Sequence, residues 1–258
     1  MHGVARLLPM NFSDHFSSAP QDYLRSRPSY PEALYEHLAS LAPSDDCALD
    51  CATGSGQAAL GLARVFERVI AVDGSASQLE HALKHPRVEY QQRLAEDTGV
   101  PPASCDIVTV AAGAHWLDLK RFYAEVQRVL RPGGVIAVWT YNGWPQIGPE
   151  IERAIAQFRD ETPQLTWPPG FEHVRSGYRS LPFPFESLPA PAFKAEMRWD
   201  LDGLLGHLRS WSAVQALTKK LGRDPVEPHR ARLQEAWGDP QEVRWVRWPL
   251  HMRLGRVG

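Results

Sequence analysis

This chain has no long apolar run, little cysteine and no excess of either charge. Its longest apolar stretches, such as 135–139, are strand-sized. They fall far short of the ~20 residues that cross a bilayer, so no membrane partner is expected. The N-terminus has no basic region followed by an apolar core; no secretory leader is expected, and the cytoplasm is the expected compartment. The three cysteines, Cys47, Cys51 and Cys105, show no metal-ligand spacing, and no His or Cys partners follow in pattern. Buried thiols in a reducing compartment, and no bound metal, are the expectation. Lys plus Arg number 28 against 30 Asp plus Glu, a net charge of -2, which offers nucleic acid no electrostatic footprint. No segment repeats another, and nothing here speaks to oligomeric state.

What is present is a globular chain of 258 residues, 43% hydrophobic, with nine Trp and 22 Pro concentrated after residue 139. Phe12 and Phe16 stand one helical turn apart. Residues 23–31, with Tyr23, Arg25, Arg27, Pro28, Tyr30 and Pro31, read as a stiff turn. Pro31 then opens a helix with Leu34, Leu38 and Leu41 on one face. From 48 to 139 strands and helices alternate. Strands are expected at 48–51, 68–73, 88–91, 106–110 and 135–139. Helices are expected at 57–66, from a Ser75 or Ser77 cap to about His85, and at 119–130, where Arg131-Pro132-Gly133-Gly134 breaks the last one. Continuous apolar strands between helices imply a parallel sheet covered on both faces, with its site at the strand C-termini. Further on, helices at 151–158, 201–221 and 230–237 and strands at 193–199 and 243–254 are expected. The helical insertions read as a cap over the sheet edge.

The organising stretch is 48–57, Ala-Leu-Asp-Cys-Ala-Thr-Gly-Ser-Gly-Gln: strand, small-residue loop, helix. Gly54-Ser55-Gly56-Gln57-Ala58-Ala59 formally fits the dinucleotide pattern, with Asp73 near the distance of a ribose-binding acid. Two features oppose that fit. Asp50 before the loop would repel a pyrophosphate. The alternation Ala52-x-Gly54-x-Gly56 suits a loop lying against a ribose and a methionine tail.

Together, Leu49-Asp50-x-Ala52-x-Gly54-x-Gly56, Asp73, Ala95-Glu96 and 128–134 resemble the class I S-adenosylmethionine-dependent methyltransferases. Tyr23-x-x-x-Arg27-Pro28-x-Tyr30-Pro31, His115-Trp116-Leu117-Asp118 and Ser210-Trp211-Ser212 are similar to the small-molecule group typified by trans-aconitate methyltransferase and its fungal relatives. The resemblance implies a Rossmann-like, doubly wound, mostly parallel seven-stranded sheet with an antiparallel last strand and a helical cap. It divides a single domain into an N-terminal lid and helix (1–45), a cofactor-binding core (46–141), cap insertions around strand six (142–240) and a last strand (241–258). Ala52 departs from the family's usual glycine, and its backbone is expected to keep φ below zero. Leu117 stands where relatives often carry Phe.

The resemblance also assigns roles. Asp73 meets both ribose hydroxyls of S-adenosylmethionine. Gly54, Gly56, Ala52 and Gly74 let backbone approach, and Asp50 orders the loop or meets the methionine ammonium. Ala95 and Glu96 edge the adenine, while Ala111 and Ala112 leave room beside the sulfonium. Tyr23 and Arg27 close over the cofactor. Arg25, Tyr30, Tyr141, Tyr178 and Trp211 are candidate acceptor contacts. His115 and Trp116 are the candidate catalytic pair: His115 as a general base, or the two as pocket walls. The expected reaction is methyl transfer to a small-molecule acceptor, first to a carboxylate oxygen, which needs no deprotonation. Alternatives are a phenol, amine or carbon centre with His115 as base, an NAD-type oxidoreductase, or a non-catalytic cofactor-binding protein.

Overall fold

The computed structural model describes residues 29–141 and 144–258. The expectations for Phe12, Phe16, Tyr23, Arg25 and Arg27 lie outside the described residues. Five strands run parallel: β1 (Cys47–Cys51), β2 (Arg68–Asp73), β3 (Val88–Gln92), β4 (Cys105–Ala111) and β5 (Leu130–Tyr141). Three more, β6 (Glu186–Leu188), β7 (Phe193–Trp199) and β8 (Arg244–Arg256), join antiparallel. The order is β3-β2-β1-β4-β5-β8-β6, with β7 also on β8. The chain steps outward from β1 to β3, then restarts beside β1 at β4. That reversal opens a crevice over the C-terminal ends of β1 and β4, where α/β sheets bind ligands.

The central strands β1, β2, β4 and β5 are largely apolar on both faces, and helices cover both. Leu34 and Leu38 of α1 (Glu32–Leu41) pack on one face with Ala58 and Leu62 of α2 (Gln57–Leu62). α3 (Ala76–Glu80) is short, with Ser75 Oγ capping it by accepting from Gln78 N. Phe122, Val126 and Val129 of α4 (Leu119–Val129) cover the other face at helical spacing, and Asp118 caps that helix by accepting from Arg121 N. The cap is built from α5 (Pro149–Asp160), α6 (Phe171–Arg175), α7 (Leu201–Arg209), α8 (Ser212–Leu221) and α9 (Arg230–Trp237). Ile155, Phe158, Leu205, Leu208, Leu233 and Trp237 belong to its own apolar cluster.

Four expectations are corrected. The sheet has eight strands among the described residues rather than seven, because the 13-residue β8 offers its outer edge to two short strands, β7 along 244–250 and β6 along 254–256. The helix expected to run to about His85 stops at Glu80: Leu83 N turns away to donate to Ser55 O, and Pro86 disfavours helical backbone before it. The third strand extends one residue further, to Gln92. The break at 131–134 instead forms a bulge within β5. The pairing jumps from Cys105↔Leu130 to Ile107↔Val135, and α4 has already ended at Val129. Arg131 there clamps the end of the sheet opposite the crevice. Its Nη1 donates to Asp106 Oδ1 (2.8 Å) and Asp46 Oδ2 (2.9 Å), while Cys47 N donates to Asp106 Oδ2 (2.9 Å).

Candidate active site

Asp50, at the end of β1, is fully buried beneath the following loop. It accepts from Thr53 Oγ1 and Thr109 Oγ1, both at 2.6 Å, tying the loop to β4. Burial pushes its carboxyl up to about 6, against the lowering effect of those two hydroxyls. Asp50 therefore orders the loop, and of its two expected roles contact with the ammonium is the one this placement opposes. Thr53 N donates to Val72 O (3.0 Å), anchoring the loop to β2 as well.

Asp73, at the end of β2, accepts from Gly54 N at Oδ2 and from Ser75 N at Oδ1, each at 2.8 Å. Two backbone amides thus fix the plane of the carboxylate. Gly56 opens α2 at φ +85, and a Cβ there would lie 2.1 Å from Tyr90 Oη, which donates to Leu83 O. Ala52 is a correction: its φ is +52, in the left-handed region, not below zero. Its Cβ also sits 2.9 Å from where a Cβ on Gly113 would stand, so the β1 and β4 loops meet with room for one methyl.

A cavity of about 690 Å³ opens over these strand ends. Ala52, Gly54, Asp73, Gly74, Ala95 and Glu96 line the half over β1–β3, with Gln78, Leu94 and Arg121, which the sequence did not single out. Glu96 Oε1 also accepts from Asp118 N (2.8 Å), holding the start of α4 against the loop after β3. The half over β4 and β5 is lined by Tyr30, Ala111, Ala112, His115, Trp116 and Tyr141. Cap residues Trp144, Trp167, Phe171 and Trp211 close it.

This arrangement has known counterparts. A protein of Dictyostelium discoideum named as a methyltransferase is 30% identical over 256 residues, covering 96% of this chain and 97% of its own. The chain belongs to the class I S-adenosylmethionine-dependent methyltransferases. The family described as "Methyltransferase domain" matches residues 49–138. A solved structure from Anaeromyxobacter dehalogenans, titled a type II methyltransferase, is 48% identical, covers 89% of this chain and 97% of that one, and superposes with a TM-score of 0.82. A Saccharomyces cerevisiae protein named for S-adenosylmethionine-dependent methyl transfer is 30% identical over 136 residues. That match takes in 49% of this chain and 46% of the yeast protein, so the chain spans under half of that relative's length. The formal dinucleotide match and the non-catalytic alternative are thereby set aside. Membership of the family implies S-adenosylmethionine as cofactor. No described helix is long and apolar enough to cross a membrane.

Three of the expected residues of this methyltransferase do not line its cavity. Asp50 and Gly56 lie beneath the loop, and Tyr178 stands behind His115. Tyr178 is fully buried, and burial pushes its phenol well above the ordinary value, so it stays protonated. Its Oη and His115 Nδ1 are 3.0 Å apart, which fixes the imidazole in the wall. The Trp116 ring lies 4.9 Å from that of His115. Trp211 both lines the methyltransferase's cavity and packs in the cap core. Its Nε1 donates to Nε2 of the fully buried His207 (3.2 Å). An indole N–H can only donate, so His207 accepts there and carries its proton on Nδ1. The signal for Trp144, Trp167 and Phe171 was the crowding of aromatics after residue 139; sequence spacing alone did not aim them.

Proposed function

We propose that this enzyme moves the methyl group of S-adenosylmethionine to a carboxylate oxygen of a small molecule. The observation that carries the cofactor half is Asp73: an acid at the end of β2 in the cavity wall, its carboxylate braced by two backbone amides. The residues fit the cofactor. Gly54 and Gly74 bring backbone to the wall, Ala95 and Glu96 suit the adenine edge, and small Ala111 and Ala112 leave space toward β4. S-adenosylmethionine supplies a methyl group on a sulfonium sulfur, which a nucleophile takes in line.

Among the described residues, the acids in the wall, Asp73, Glu96 and Asp118, belong to the β2 and β3 loops and the start of α4. Among the described residues of the β4–β5 side, His115 is the imidazole in the wall, beside the phenols Tyr30 and Tyr141. A carboxylate nucleophile needs no base, so catalysis rests on alignment and exclusion of water. The resemblance to the trans-aconitate group favours the same acceptor atom. The contact between His115 and Tyr178 favours a second reading, in which His115 deprotonates a phenol, amine or carbon acid.

Asp73→Ala is expected to weaken S-adenosylhomocysteine binding at least 100-fold by calorimetry, about 3 kcal/mol for two charge-assisted hydrogen bonds; unchanged affinity removes the role. With methyl-labelled cofactor, carboxyl products release labelled methanol in mild base, whereas aryl ethers and methylamines keep the label. Base-stable product would move the reading to the second one, in which His115→Ala abolishes turnover.

A further inference from the structure

We infer that the acceptor is a planar, ring-bodied acid, its ring held among Trp144, Trp167, Phe171 and Trp211 and its carboxylate presented beside His115. The inference rests on the proposed carboxylate chemistry and specifies the body that carries it.

The four rings come from three parts of the chain, with Trp167 and Phe171 four residues apart, and meet in one wall of the cavity. Trp167 and Phe171 stack at 4.1 Å and 11°. Trp144 stands edge-on to Trp167 (6.2 Å, 84°) and to Trp211 (5.5 Å, 83°), and Trp167 lies 5.8 Å from Trp211. Such a mixture of stacked and edge-on rings matches the offset and T-shaped contacts that aromatic guests make. The charged side chains of the described wall, Asp73, Glu96, Asp118 and Arg121, all belong to the cofactor half and the start of α4. Among the described lining residues of the acceptor half there is no cation, Arg159 lying over the Trp144 ring (4.8 Å) from outside the lining, so an acceptor with several carboxylates would bury charges against indole. One with a single carboxylate places it toward His115 and its apolar ring in the cap. In the reaction the carboxylate oxygen forms the new O–CH3 bond, the S–CH3 bond breaks, and its electron pair returns to sulfur. No proton moves.

The test compares benzoic, cinnamic and naphthoic acids with cyclohexanecarboxylic, hexanoic and aconitic acids. Turnover is followed with labelled S-adenosylmethionine, and binding by calorimetry with S-adenosylhomocysteine present. The planar acids are expected to bind and turn over at least tenfold better. Trp144→Ala and Trp167→Phe should raise their KM several-fold while the S-adenosylhomocysteine dissociation constant stays within twofold. Equal or better binding of the aliphatic acids overturns the planar body and leaves carboxyl methylation standing. Methylation of phenols but of no acid overturns the carboxylate and supports the ring-binding wall. The binding arm decides the question even if no probe is turned over.

Discussion

Over β1–β3 the cavity wall is a set of short loops held by bonds within and between them: Thr53 to Asp50, Gly54 and Ser75 to Asp73. Over β4 and β5 it is side chains, delivered from the turn after β4, the stretch after β5, α6 and the junction of α7 with α8. On the proposed function, the first half would meet a cofactor that never varies, with Asp73 and Glu96 as its acids. The second would meet the acceptor, and its shape comes from rings that can be exchanged without touching the sheet. Pocket variation is therefore expected to be confined to one side.

The strongest challenge to that contrast is Gly56→Ala. The new methyl meets Tyr90 Oη in a left-handed backbone, and a loss of about 3–4 kcal/mol is expected by urea unfolding, together with weaker cofactor binding. A mild effect would mean that the loop is softer than its bonds suggest. Asp50 comes next. Its buried carboxyl, pushed up to about 6 from 3.8, holds a proton in the native state that the unfolded chain has already released between about pH 4 and 6. Stability from this group is greatest below pH 4 and falls as pH rises to 6, by about 2–3 kcal/mol. Asp50→Asn should lack that fall, read as the difference between the two proteins' unfolding free energies across this range.

On the acceptor side, His207→Phe removes the acceptor for Trp211 Nε1. A rise of about tenfold in acceptor KM is expected, about 1.4 kcal/mol, with the S-adenosylhomocysteine dissociation constant within twofold. Equal loss on both sides would show that the halves do not act separately. The smallest effect is Ala52→Gly, which relieves a left-handed alanine and should raise stability by about 1 kcal/mol, or about 2–4 °C in melting temperature.

The cofactor half was legible because its signals are local. An apolar run ending in Asp50, a glycine loop and an acid ending β2 are all read from neighbours in sequence, and the parallel sheet follows from the alternation, though its strand order does not. Ala52 shows the limit even there: its left-handed φ and the close approach of its Cβ to Gly113 are not revealed by spacing. Tyr178 was expected to touch acceptor yet supports His115 from behind, because the turn after α6 carries it inward. Trp167 and Phe171 went unaimed since nothing in a proline-rich stretch gives a period to read. β6 was hidden there for the same reason, as its partner in β8 lies far along the chain.

The helices α7–α9 leave the sheet at Trp199 and return at Arg244, and these two residues are cross-strand partners in the β7–β8 ladder. In topological terms the excursion is a hairpin loop. Recombination at that single joint exchanges Trp211 and His207 together with the helices that hold them, and leaves the pairings of β1 to β5 as they were. Of the four rings in the cavity wall, an exchange at this joint would replace Trp211 alone, since Trp144, Trp167 and Phe171 precede it in the chain.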